Sequence, residues 1–152
     1  MKIKTYNEHL SFRETLVISA FPGCGKSHMY RNNEDKLILD SDSSKFDKSD
    51  FPRNYIEHIQ SNIGKADIIM VSSHKEVRDA LVENEIDFTL VYPKRDIKEE
   101  YIQRYKNRGN DSNFIKLLES KWDDWMDELE QQSNCKKIEL EKGKYLSDVI
   151  TN

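Results

Sequence analysis

The chain predicts an α/β fold, a parallel sheet with helices on both faces, and three observations carry that reading. Short apolar runs alternate with segments of helical period along most of its length. The run Ala66–Ser72 is almost continuously apolar, as a strand covered on both faces must be. Thr15–Ser19, a second apolar run, passes through a glycine-rich turn directly into a helical segment.

The elements follow in order. Thr15–Ser19 is the first strand, and a short helix from Gly25 to about Arg31 is stopped by Asn32 and Asn33. Lys36–Asp40 reads as the second strand. Pro52 opens a helix whose apolar face is Tyr55, Ile56, Ile59 and Ile63, since proline is preorganised for a first helical position. Ala66–Ser72 is the third, central strand. Ser73 and Glu76 have the spacing of a capping box ahead of Val77, Ala80 and Leu81. Phe88–Tyr92 is the fourth strand. A helix from about Asp96 to Arg108 stops at Gly109, and a longer one from Ser112 to Gln131 carries Phe114, Leu118, Trp122, Trp125, Met126 and Leu129. Lys137–Leu140 and a short helix at Leu146–Ile150 complete the pattern. No repeat and no long linker interrupts it, so residues 1–152 read as one domain.

Composition narrows the classes. With 24 basic and 28 acidic residues the net charge is −4, which disfavours a protein that tracks duplex nucleic acid through a basic surface. The strongest local positive excess is Lys94–Arg108, six basic side chains against three acidic. The first fourteen residues lack the apolar core of a signal peptide, and no segment reaches membrane-spanning length. Cys24 and Cys135 stand in unrelated contexts, as reduced thiols of a cytoplasmic protein do. No Cys/His spacing suggests zinc.

Ligands of parallel sheets bind beyond the carboxyl ends of the strands, and the polar motifs cluster at those positions. Ala20-Phe21-Pro22-Gly23-Cys24-Gly25-Lys26-Ser27 follows the first strand with G-x-G-K-S at its end. Such a loop turns backbone N–H groups toward an anion at a helix N-terminus, with Lys26 reaching terminal phosphates and the Ser27 hydroxyl serving Mg²⁺. Gly23, Cys24, Gly25, Lys26, Ser27 and His28 are the expected ATP-binding residues. Ala20 replaces the first glycine of the usual pattern and is tolerated if that residue is still extended.

Asp40-Ser41-Asp42 follows the second strand. Two carboxylates facing a phosphate loop suit phosphoryl transfer, one holding Mg²⁺ and the other meeting the attacking hydroxyl; the bland alternative is a polar turn. Arg104 and Arg108, four apart on one helix face, suit either transition-state stabilisation or solvated pairing with Glu99 and Glu100. His74, at the tip of the third strand, is a candidate substrate contact, and Ser73 a helix cap. The third strand ends without the carboxylate expected of motor-type and switch-type NTPases. Trp122 and Trp125 fall on an apolar stripe, where core packing is the first expectation and base stacking the second.

On Gly23-x-Gly25-Lys26-Ser27, Asp40-x-Asp42 and the Arg104/Arg108 helix, the chain resembles the small P-loop kinases, which include shikimate, gluconate, nucleoside and nucleotide kinases. It also resembles short phage-encoded ATP-binding proteins of the nucleotide-kinase type. The resemblance implies strand order 2-3-1-4-5, ATP with Mg²⁺ as donor, and a small arginine-bearing lid around residues 93–111. It implies Asp40 with Ser27 on the metal side, Asp42 at the acceptor hydroxyl, and Arg104 and Arg108 as lid arginines.

The expected activity is ATP- and Mg²⁺-dependent phosphorylation of a nucleoside- or nucleotide-like small molecule. Catalysis is assigned to Lys26, Asp42, Arg104 and Arg108, with Asp40, Asp42 and His74 at the substrate. Two rivals differ in partner or class: a kinase of 5′-hydroxyl nucleic-acid ends, suggested by Lys94–Arg108, and a protein that sequesters nucleotides without turnover.

Overall fold

The computed structural model describes residues 14–31 and 36–150, without the side chains of Ser27, Tyr30 and Arg31. Five parallel strands form one sheet in the order β2-β3-β1-β4-β5: β1 (Leu16–Ala20), β2 (Ile38–Asp40), β3 (Ile68–Ser72), β4 (Thr89–Pro93) and β5 (Lys136–Leu140). The connecting helices are α1 (Lys26–Arg31), α2 (Arg53–Asn62), α3 (Lys75–Glu83), α4 (Lys98–Asn107), α5 (Ser112–Gln131) and α6 (Leu146–Val149). Short 3₁₀ turns occupy Ser43–Lys45 and Arg95–Ile97.

This strand order and the helices on both faces are the topology of a P-loop NTPase-like fold. The chain moves one way from β1 to β2 and the other way through β3, β4 and β5. Right-handed crossovers therefore place α1 on one face and α2 to α5 on the other. The contact of α6 with α1, of α2 with α3 and of α4 with α5 agrees with that division.

β1, β3 and β4 are the inner strands. All five residues of β3 are buried, as are all five of β4, which explains their unbroken apolar character. β5 lies at an edge and alternates instead, with Lys136, Lys137 and Glu139 exposed. Ala20 is the last residue of β1, fully buried and level with Ser72 on β3 and Val91 on β4. The first loop position is thus extended and tightly enclosed, which suits alanine.

Several boundaries differ from expectation for local reasons. β2 begins at Ile38 rather than Lys36, because only Ile38–Asp40 pair with β3. The cap of α3 is His74 and makes no side-chain bond, so Ser73 is not the helix cap. Ile63 is the extended C-cap of α2 and is exposed, leaving Tyr55, Ile56 and Ile59 as the buried face. The expected helix from Asp96 starts as a 3₁₀ turn and becomes α-helical at Lys98. Asn32 and Asn33, the expected stop of α1, lie outside the described residues. No described helix is long and apolar enough to cross a membrane.

Candidate functional site

The loop between β1 and α1 is held from behind at three consecutive carbonyls. Tyr105 Oη donates to Pro22 O, Arg104 Nη1 to Gly23 O at 2.7 Å, and Leu146 N to Cys24 O at 2.8 Å. In a trans peptide the carbonyl and the following N–H point in opposite directions. Fixing Pro22 O and Cys24 O therefore turns the N–H groups of Gly23 and Gly25 away from those anchors. The intervening Cys24 N–H is used inside the loop, on Phe21 O at 3.2 Å. Gly23 and Gly25 have φ of +91° and +97°, which only glycine adopts without strain.

Both glycines are also pressed against aromatic rings. A Cβ on Gly23 would lie 3.0 Å from Tyr105 Cε1, and one on Gly25 would lie 3.1 Å from Tyr145 Cδ2. Cys24 is fully buried, its Sγ 3.6 Å from Tyr101 Oη. Burial pushes its thiol up to about 11 despite the bond to Tyr101 and the nearby charges of Arg104 and Lys26. It is a neutral packing group, with no free surface to offer a ligand. His28 is exposed on α1, and Lys26 opens that helix at the mouth of the loop. Among the described residues the Lys26 side chain has no ion-pair or hydrogen-bond partner. Ser27 is in the first turn of α1; its side chain lies outside the described structure.

At the end of β2 the backbone is steered by Tyr55. Its hydroxyl donates to Ser41 O at 2.7 Å and accepts from Ser72 N at 3.3 Å, bridging the tips of β2 and β3. Ser41 Oγ pairs with His58 Nε2 at 2.8 Å. Asp40 and Asp42 flank this anchored serine and are exposed. Asp42 caps the 3₁₀ turn, its Oδ1 accepting from Ser44 Oγ at 2.7 Å and Ser44 N at 2.9 Å. Those two bonds, then the charges of Lys45 and Lys26, hold its carboxyl below the usual range. It is ionised at neutral pH, a weak base that lines the cleft.

Lys26, Asp40, Asp42 and His74 are brought together. With Ala20, Pro22, Ser41, Ser43, Ser72 and Ser73 they line a cleft of about 260 Å³ at the carboxyl edge of the sheet. His74 sits at its exposed rim, where partial desolvation and then the charges of Lys26 and Arg78 lower the imidazole pKa, so the ring is neutral at pH 7. The cleft continues past Asp40, Ser41 and Asp42 into an open lobe of about 450 Å³ beside Lys45, Phe46 and His58. On the other side it continues past Pro22, Ser73 and His74 into a smaller, apolar lobe of about 120 Å³ beside Phe21, Phe114 and Trp125.

Arg104 is placed differently from Arg108. Only 9% exposed, Arg104 lies between the rings of Tyr101 and Tyr145, with its Cζ 4.3 and 3.9 Å from their centroids. Besides Gly23 O it donates to Glu100 Oε2 at 2.6 Å and Lys144 O at 2.9 Å. Its guanidinium supports the loop from beneath instead of covering it. Arg108 is exposed, 5.5 Å from the Tyr105 ring centroid. Half of the basic stretch is paired within the protein: Lys94 with Glu141, Arg95 with Asp127 and Glu130, and Arg104 with Glu100.

Tyr55, His58, Tyr101, Tyr105 and Tyr145 complete the site without a motif to announce them. Each acts on a segment remote in sequence, so local spacing carries no signal of its role. No group of three or more His, Cys, Asp or Glu among the described residues is placed to hold a metal ion. A magnesium ion bound mainly by phosphate and water needs only one or two protein ligands, so Asp40 in a cleft with Lys26 fits that donor chemistry. No family model, no curated protein and no solved structure matches the chain. The topology by itself is that of nucleotide-binding α/β proteins.

Proposed function

We propose that the chain is an ATP- and Mg²⁺-dependent phosphotransferase acting on a hydroxyl of a small nucleoside- or nucleotide-like acceptor. The observation that supports it most is the anchoring of Pro22, Gly23 and Cys24 carbonyls behind the loop, with Lys26, Asp40 and Asp42 converging in front. An anchored loop of this kind presents amides to an anion at no reorganisation cost.

In this reading the N–H groups of Gly23 and Gly25 and the first-turn amides of α1 bind the donor phosphates. Lys26 neutralises charge on the terminal phosphate. Asp40, with Ser27, holds the magnesium ion, which supplies electrostatic stabilisation of the phosphate oxygens. Asp42 orients the acceptor hydroxyl through Oδ2; its low pKa suits orientation more than proton abstraction, and a loose phosphoryl transition state demands little base. His74, neutral at the rim, contacts the acceptor. Arg104 positions the loop, and exposed Arg108 is the arginine left for the transferring group.

The test is ATP consumption with Mg²⁺ across nucleosides, nucleoside monophosphates, small hydroxy-metabolites and 5′-hydroxyl oligonucleotides. Acceptor-dependent ADP formation that disappears in Lys26→Ala supports the reading. Tight ATP binding without turnover on any acceptor replaces it with nucleotide sequestration.

A further inference from the structure

We propose that the apolar lobe beside Trp125 is a nucleobase subsite, built to take the neutral, carbonyl-bearing ring of the acceptor. This deepens the phosphotransferase reading and rests on it for the ligand's second half, the hydroxyl that meets Asp42. The lobe joins the catalytic cleft through Pro22, Ser73 and His74, which line both. A ring seated there reaches the Lys26 and Asp42 lobe by crossing those three residues.

The walls are aromatic and aliphatic: Phe21, Phe114, Trp125 and Leu129. The two tryptophans of α5 separate here. Trp122 is 1% exposed and donates Nε1 to Arg95 O at 2.9 Å, a core residue with its polar atom satisfied. Trp125 is only half-buried, meets Phe21 edge to face at 6.3 Å, and leaves surface on the lobe. Half-exposed aromatics around a small concavity are stacking surfaces.

The polar side of the lobe selects the kind of ring. Arg78 is 3% exposed; its Nε donates to Ser73 O at 2.8 Å, Nη1 to Gln132 Oε1 and Nη2 to Glu128 Oε1 at 3.2 Å. Those bonds use three of five N–H donors and leave one on each terminal nitrogen. Arg78 lines the lobe, so a ring carbonyl entering it meets a guanidinium that still has donor capacity. The charges are already balanced, Arg78 by Glu128 and Lys75 by Asp79 at 2.7 Å. A second phosphate would meet no spare cation there, so an uncharged ring is favoured over an anionic group.

The experiment is nucleoside binding without ATP, followed by intrinsic fluorescence and calorimetry, for the wild type, Trp125→Leu, Trp125→Phe and Phe46→Leu. Inosine and purine riboside form the critical pair, since they differ by the ring carbonyl; a short 5′-hydroxyl oligonucleotide tests whether the base can belong to a strand end. Inosine is expected to bind several-fold more tightly than purine riboside. Trp125→Leu should weaken inosine about 5- to 150-fold, the loss of one base–aromatic stack, with Trp125→Phe recovering most of it and Phe46→Leu leaving it unchanged. ATP affinity should hold in all variants, and the unfolding midpoint should fall only modestly in Trp125→Leu and Phe46→Leu, since each loses edge-to-face aromatic contacts. Inosine binding unaffected by Trp125→Leu, lost instead in Phe46→Leu, or absent altogether overturns the subsite. Phosphoryl transfer with an acceptor KM indifferent to Trp125 removes the subsite and keeps the kinase; Trp125-dependent nucleoside binding without transfer keeps the subsite and removes the kinase.

Discussion

Arg104 donates to the carbonyl of Gly23 across 81 residues of sequence, at 2.7 Å, from between two tyrosine rings. One guanidinium therefore ties α4, the β1–α1 loop and the segment before α6, where Lys144 O accepts a further bond. Arg104→Ala removes these links and strands Glu100, which otherwise accepts from Arg104 and from Gly143 N. The expected cost is about 3 kcal/mol, as for breaking a buried pair, read as a lower urea midpoint. Arg104→Lys keeps charge but not the planar fork, and it should weaken ATP binding even where the fold survives.

Gly25→Ala places a methyl 3.1 Å from the Tyr145 ring at a φ of +97°. The methyl also lies 3.3 Å from Tyr145 Cβ, which is fixed to the backbone, so the cost falls on the loop backbone as well as on the ring. The expected result is a loss of at least about 1 kcal/mol in stability and a larger fractional loss in ATP affinity. Relief of the ring alone, in Gly25→Ala with Tyr145→Ala, should not restore nucleotide binding. Calorimetry on the single and double variants decides it.

Asp42→Asn keeps an acceptor for Ser44 while removing the charge that the proposed reaction places at the acceptor hydroxyl. Transfer should fall about 10²-fold through loss of acceptor orientation, with ATP affinity changed little. An equal loss of both would place Asp42 on the donor side with Asp40. Steady-state kinetics against direct ATP titration separates the two outcomes.

His74 titrates below its ordinary value of 6.5 in the folded protein. Above pH 6.5 the ring is neutral in both folded and unfolded states and contributes nothing. As pH falls through 6.5 the unfolded state binds the proton first, so stability declines until the folded ring is protonated as well. Acid destabilisation beginning near pH 6.5 should be reduced in His74→Gln. Asp42 acts in a separate window, losing its contribution near and below pH 4 as its carboxylate is protonated. Chemical unfolding at stepped pH resolves both.

Periodicity made the long elements legible. The bounds Ser112–Gln131 of α5 and the interior placement of β3 follow from patterns that burial imposes directly, although the middle strand of the five is β1 and not β3 as its apolar run suggested. Depth was less legible than face. Arg104 and Arg108 share a helix face, yet one is buried under the loop and the other exposed, because the partners that bury Arg104 are Gly23, Tyr145 and Lys144. Trp122 and Trp125 share a stripe, yet only Trp125 reaches a cavity. His58 acquires its role only when α2 brings it to Ser41. That Lys26, Asp40, Asp42 and His74 meet in one cleft was legible because each ends or follows a strand of a parallel sheet, and every such position shares one edge.

The central claim is best tested by following the γ-phosphoryl group itself. With γ-labelled ATP, Mg²⁺ and a carbonyl-bearing nucleoside, the wild-type protein should move label onto the nucleoside over many turnovers. Lys26→Ala should leave it on ATP while unfolding at an unchanged midpoint. Label that stays on ATP with the wild type across every acceptor, or moves equally well with Lys26→Ala, contradicts the account.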